Sequence, residues 1–122
     1  MRKLLIILFL TIIVQSCSNT SPVDLVDGAD VIIDSNVLYD KDIKQIIAVN
    51  CLNCHNTVPA NGATISLDNL SKVKFAITNL DLINRINLNP NQTSLAMPLG
   101  GPKLSQLNIN LIAQWQINNF AP

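Results

Sequence analysis

Hydrophobic residues beyond position 36 recur in a helical pattern. In four stretches they lie three or four positions apart, which is the spacing of one face of an α-helix. We therefore expect helices over residues 40–54, 69–77, 80–86 and 105–119. No sustained alternation of apolar and polar positions is present, so the predicted fold class is all-α.

Polar and helix-breaking residues mark the expected ends of these helices. Asp40, Asp68 and Ser105 each precede a helical pattern and are of the types preferred at N-caps. Residues 87–93 include a proline and predict a loop. Residues 97–102, Met-Pro-Leu-Gly-Gly-Pro, predict irregular backbone, because proline and glycine interrupt both helix and sheet.

The first seventeen residues have a different pattern. Arg2-Lys3 is followed by an apolar run over residues 4–14, which is typical of a secretory signal and too short to span a bilayer comfortably. Residues 14–17, Val-Gln-Ser-Cys, resemble the lipobox of bacterial lipoproteins. That resemblance implies cleavage before Cys17 and acylation of this cysteine, whose acyl chains anchor the protein to a membrane.

This pattern divides the chain into three parts. Residues 1–16 are a predicted lipoprotein signal peptide, residues 17–36 a lipidated cysteine with an acidic flexible tether, and residues 37–122 the folded domain. A chain of 122 residues allows one small domain. From Cys17 onward six basic and eight acidic side chains give a net charge of −2, which argues against a nucleic-acid partner.

The candidate chemistry lies at Cys51-Leu52-Asn53-Cys54-His55. Cys-x-x-Cys-His is the attachment motif of c-type haem. Two cysteines three apart on a helical turn project to the same side, so each thiol can add to one vinyl group of a single haem. His55, the only histidine, then lies against one face of the ring and can bind the iron.

Other interpretations of the motif explain fewer of its residues. A structural zinc site needs four ligands, and only Cys51, Cys54 and His55 cluster in the sequence. A thioredoxin-like pair requires a preceding strand, but here a helical pattern precedes it. A disulfide between the two cysteines is compatible with an oxidising compartment and leaves His55 unexplained.

The second axial ligand is predicted by elimination. Without a second histidine, bis-histidine ligation is excluded. Met97 is the only methionine that remains after loss of the signal, and it follows His55 by 42 residues in the irregular segment. Ligation by Lys72, Lys74 or Lys103 is the alternative, which requires desolvation of a neutral amine.

Residues 37–122 resemble a class I cytochrome c domain, and more narrowly the single-haem domains of bacterial lipoproteins. The resemblance is carried by the haem motif, by Asp-Ile-Lys-Gln-Ile at residues 42–46 and by Met-Pro-Leu-Gly-Gly at residues 97–101. It implies three to four helices around one covalent haem c, with His55 and Met97 as axial ligands. It also implies electron transfer with no catalytic residue.

The expected protein is a membrane-tethered electron carrier that acts between a redox protein donor and acceptor. Its expected place is the cell envelope, facing the periplasm or the outside, with the outer membrane favoured over the inner because Ser18 follows Cys17. Two alternatives stay open: a haem subunit or sensor module of a larger complex, and an open-site haem enzyme such as a peroxidase.

Overall fold

The computed structural model describes residues 36–122, and within that range it contains helices and no strand. The elements are a π-helical turn (Tyr39–Ile43), α1 (Lys44–Asn50), α2 (Leu70–Asn79), α3 (Leu82–Asn87) and α4 (Gln106–Ile117). The all-α prediction is confirmed for these residues. None of their helices has the length and apolarity needed to cross a membrane. The predicted signal peptide, the lipidation at Cys17 and all but the last residue of the tether lie outside the described residues.

The start of the first helix differs from the prediction. The carbonyl of Leu38 accepts the N–H groups of Asp42 (3.0 Å) and Ile43 (3.4 Å), and the longer-range bond makes the turn π-helical. The carboxylate of Asp42 accepts the N–H of Leu38 in return (2.9 Å). Asp40 as the N-cap is therefore wrong; its carboxylate instead forms an exposed ion pair with Lys44 (3.0 Å).

The caps of α2 and α4 can be compared with the predicted ones directly. At α2 the side chain of Asn69 accepts the N–H of Lys72 (3.1 Å), so the predicted cap Asp68 is wrong by one position. Asp68 forms an ion pair with the Lys72 side chain instead (2.8 Å). At α4 the prediction is confirmed, since Ser105 Oγ accepts the N–H of Asn108 (3.2 Å).

Two helices end earlier than the apolar spacing predicts. α1 ends at Asn50, because the next residue, Cys51, leaves the helical region with φ −122°. α4 ends at Ile117, and Asn119 and Phe120 both take left-handed backbone angles (φ 55° and 61°). After α1 the chain turns into the segment from Cys51 to His55, and after α4 it turns back towards Tyr39.

The core is centred on Trp115, whose side chain is fully buried. Its ring lies 5.3 Å from that of Tyr39 and 4.9 Å from that of Phe120, the latter edge-on. The carbonyl of Ala121 accepts both the indole N–H of Trp115 (2.7 Å) and the backbone N–H of Tyr39 (2.9 Å). The left-handed residues after α4 thus bring the two ends of the described chain together.

Every helix contributes side chains to one apolar core around this contact. The buried residues of the π-helical turn and of α1 to α4 are Tyr39, Ile43, Ile46, Ile47, Val73, Ala76, Ile77, Leu82, Ile86, Ile109, Ile112 and Trp115. Cys51, Ile65, Leu80 and Met97 are only partly buried and pack at the edge of this core. The segments that join α1 to α2 and α3 to α4 therefore place Cys51 and Met97 beside the core.

Replacement of Trp115 tests the contact at the chain ends. Trp115→Phe removes the indole donor and part of a fully buried ring, so we expect a loss of about 1–3 kcal/mol in the free energy of unfolding. Urea unfolding of the purified protein measures it. Phe75→Leu, at an aromatic side chain that is 55% exposed, is the control and should stay within about 0.5 kcal/mol of the wild type. Equal effects of the two substitutions would contradict the central role of Trp115.

Candidate functional site

A cavity of about 520 Å³ is formed by α2, α3 and the segments that follow α1 and α3. This volume lies within the range of roughly 300–1,000 Å³ that is usual for ligand and cofactor sites. Its wall includes Cys51, Cys54, His55 and Met97. The fold therefore brings these four candidate residues together around one cavity, although Met97 is far from the other three in sequence.

A single turn of backbone after α1 presents the motif to the cavity. The N–H of Cys51 still donates to Ile47 of the helix (2.9 Å). The carbonyl of Cys51 then accepts the N–H groups of Cys54 (3.2 Å) and His55 (2.9 Å). These bonds fold the five residues of the motif into a compact loop, and both cysteines are partly buried there.

The imidazole of His55 is oriented by the backbone. Its Nδ1 lies 2.9 Å from the carbonyl oxygen of Ile65. Because a carbonyl can only accept, the proton of the neutral ring is on Nδ1 and the lone pair is on Nε2. The carbonyl of His55 also accepts the N–H of Leu67 (2.7 Å), which fixes the main chain beside the ring. This arrangement is the one by which proteins orient a metal-binding histidine.

Met97 lies in irregular backbone, as its sequence context predicts. Its N–H donates to the carbonyl of Arg85 on α3 (3.0 Å), which joins the methionine segment to that helix. A tight turn follows, closed by the N–H of Gly101 and the carbonyl of Pro98 (3.2 Å). Gly100 takes φ +69° at the third position of this turn, where glycine is favoured.

The cavity wall is mostly apolar and carries one permanent charge. Among the described residues, Arg85 is the only lysine, arginine, aspartate or glutamate that lines it. The Nε–H of Arg85 donates to the carbonyl of Leu80 (3.2 Å), which uses one of the five guanidinium donors. The arrangement suits an apolar ligand with an acidic group. Arg85 and Lys103 are the basic residues that could pair with a haem propionate, and of the two only Arg85 lines the cavity.

The alternative lysine ligands do not reach this wall. None of Lys72, Lys74 and Lys103 is among the described residues that line the cavity. Lys72 forms an ion pair with Asp68 (2.8 Å), and the amine of Lys74 lies 4.9 Å from the centre of the Phe120 ring. Of the candidate second ligands, the structure therefore places only Met97 at the cavity.

The environment of the cysteines bears on the remaining interpretations of the motif. Burial raises the pKa of the Cys51 thiol to about 11, so this thiol stays protonated at neutral pH. Redox-active cysteine pairs depend instead on a thiol with a depressed pKa. Within residues 36–122, no three His, Cys, Asp or Glu side chains converge so as to hold a bare metal ion. The local chemistry thus favours neither a thioredoxin-like pair nor a zinc site.

No family model, curated protein or solved structure matches this chain. The resemblance to class I cytochromes c therefore depends on the three short sequence motifs, at residues 42–46, 51–55 and 97–101. What the structure adds is that Cys51, Cys54, His55 and Met97 line one cavity, and that the imidazole of His55 is oriented by the backbone.

Proposed function

We propose that the domain is a single-haem c-type cytochrome that transfers single electrons between redox proteins outside the cytoplasm. One observation carries the proposal: the two thiols of the motif, an imidazole oriented through Nδ1 and the Met97 side chain line the same apolar cavity. The finer proposal for the fold, a class I cytochrome c arrangement of helices around haem, is supported by the cavity between α2, α3 and the two ligand-bearing segments.

The residues present fit a haem in their chemistry. A haem is a flat, largely apolar ring with two carboxylates, and the cavity offers apolar walls and one arginine, Arg85. Cys51 and Cys54 would hold it through two thioether bonds, and His55 Nε2 and the sulfur of Met97 would be its axial ligands. When bound, the haem supplies reversible one-electron chemistry at its iron.

The protein groups would set how readily the iron gains an electron. The carbonyl of Ile65 keeps the proton on Nδ1 of His55 and makes Nε2 a better donor. The thioether of Met97 is neutral and would favour the reduced iron, which would raise the reduction potential. If His55 and Met97 both held the iron, no position would be left for a substrate, and this supports a carrier over a peroxidase.

The cell-envelope location is part of the same proposal. Attachment of haem c takes place outside the cytoplasm, in agreement with the signal-like residues 1–16. A lipid on Cys17 would anchor the domain, with the outer membrane favoured over the inner by Ser18. As flexible chain, the proposed tether between Cys17 and the domain would have a root-mean-square reach of about 24 Å. It would keep the domain close to both redox partners without fixing it to either.

Covalent attachment is the first test of the proposal. We expect the purified protein to keep its haem through denaturing electrophoresis, with haem staining on the protein band and a mass increased by one haem. The double variant Cys51→Ser/Cys54→Ser should lose the stain, because neither sulfur is left to form a thioether. The exposed substitution Ser71→Ala is the control and should keep it. Wild-type protein without covalent haem would refute the proposal.

Met97 distinguishes a carrier from an enzyme with an open iron site. Wild-type ferric protein should be low-spin and show the weak far-red band of sulfur-to-iron ligation. Met97→Ala should lose that band, become high-spin or water-ligated, and fall in reduction potential, because the neutral thioether is gone. Met97→His should stay low-spin, also at lower potential.

A control close to Met97 in the sequence shows whether the effect depends on the sulfur. Leu95→Ala changes a side chain that is 56% exposed and does not line the cavity, so it should leave spectrum and potential as in the wild type. If Met97→Ala also leaves both unchanged, the second axial site is open or filled by another residue. The sensor and peroxidase alternatives would then replace the carrier.

Cys17 tests the membrane anchor. Cys17→Ser removes the acceptor of the acyl chains, so the variant should appear in the soluble fraction after cell lysis, with its visible spectrum unchanged. The comparison is Ser18→Ala, which leaves the cysteine in place and should remain in the membrane pellet. If Cys17→Ser protein sediments with membranes as the wild type does, the lipid anchor is wrong.

A further inference from the structure

A tight turn follows the motif and folds back on it. Asn61 and Gly62 both take left-handed backbone angles (φ 54° and 83°). The N–H of Ala63 donates to the carbonyl of Ala60 (2.9 Å), which closes a four-residue turn around them. Two consecutive left-handed residues define a type I′ turn, and Asn-Gly is its preferred central pair. The sequence therefore specifies the conformation of this turn locally.

The turn is bonded to the second cysteine of the motif through both main chain and side chain. The N–H of Ala60 donates to the carbonyl of Cys54 (2.8 Å). The side-chain amide of Asn61 donates to the Sγ atom of Cys54, with 3.7 Å between nitrogen and sulfur. Sulfur is a weak acceptor both as a thiol and as a thioether, so this contact is compatible with either state. Asn61 and Cys54 both line the cavity.

The two cysteines are thus positioned by different interactions. Cys51 packs against the apolar core. Cys54 is not among the side chains packed on that core within the described residues. A side chain without tight packing needs another restraint if its sulfur is to occupy one position, and the amide of Asn61 supplies it.

We infer that Asn61 is a positioning residue for covalent attachment at Cys54. Its amide holds the sulfur at the cavity wall, so that the second thioether bond forms efficiently. In that step the S–H of Cys54 adds across a vinyl double bond: a carbon–sulfur bond forms, and the hydrogen goes to the other vinyl carbon. The addition consumes no oxidant or reductant. The inference rests on the proposed haem attachment.

Two substitutions separate the amide from the backbone conformation. Asn61→Gly keeps a residue that adopts the left-handed angles freely and removes the amide. Asn61→Asp keeps the shape and the tolerance of left-handed angles, but replaces the donor with a group that only accepts. The matched control is Asn119, which also has a left-handed angle (φ 55°) and is exposed but does not line the cavity.

The measurement is the attachment state of each cysteine. Full-length protein made in cells that attach haem c is denatured, alkylated with iodoacetamide, digested and analysed by mass spectrometry. In both Asn61 variants the alkylated, unattached fraction of Cys54 should rise by roughly two- to tenfold, the effect of losing one weak hydrogen bond. Alkylation of Cys51 should not change.

A spectrum of the same samples provides an independent readout. A haem bound through one cysteine retains a vinyl group in its conjugated system, so the reduced pyridine complex of the Asn61 variants should absorb at longer wavelength. Asn119→Gly and Asn119→Asp should match the wild type in both measurements.

The outcomes separate this inference from the proposed function. Wild-type attachment at Cys54 in both Asn61 variants would overturn the role of Asn61 and leave the cytochrome proposal intact. Equal loss of attachment at Cys51 and Cys54 would show a role in folding and would also overturn it. Wild-type protein with no attached haem would remove both the proposed function and the inference.

Discussion

One carbonyl oxygen, that of Ala121, holds the two ends of the described chain in place. It accepts from the backbone of Tyr39 and from the indole of Trp115. None of these three residues lines the cavity, so the contact that closes the fold is separate from the wall of the candidate site. The wall instead shares buried side chains with the core: Leu67, Ala76, Leu82, Ile86 and Leu104. A macrocycle in the cavity would therefore complete a core with few aromatic side chains, and binding would stabilise the fold.

Helical spacing was enough to predict where the helices lie, because an apolar face repeats within each helix. It was not enough to predict how the first helix and α2 begin. At the first helix, the side chain of Asp42 accepts the N–H of Leu38 across a π-helical turn, and an α-helical apolar pattern does not indicate such a turn. At α2, Asp68 and Asn69 are both of types that cap helices well; in the structure Asn69 accepts the N–H of Lys72, and Asp68 pairs with the Lys72 side chain.

The site divides in the same way into local and long-range parts. The spacing of Cys51, Cys54 and His55 is local, so the sequence alone indicates their shared chemistry. Met97 was predicted as the second ligand by elimination, and the structure places it at the same cavity as the motif. Whether Arg85 lines the cavity depends on how α3 packs against the segment that contains Met97, and no sequence pattern predicts that packing. The Asn-Gly pair at residues 61–62 predicts a turn from the sequence alone. The hydrogen bond from the Asn61 side chain to Cys54 Sγ, however, is known only from the structure.

Contact between residues 39 and 121 makes the domain a nearly closed ring of chain. A short linker could join the two neighbouring ends, and a new break could be made in an exposed loop. The order of the segments along the chain would then change while their contacts stay the same. Asn89 and Asn91 are exposed in the loop between α3 and Met97. In a circular permutant opened there, Met97 would be synthesised before His55, and the two residues would still line the same cavity. The geometry of the site therefore does not require His55 to be synthesised before Met97.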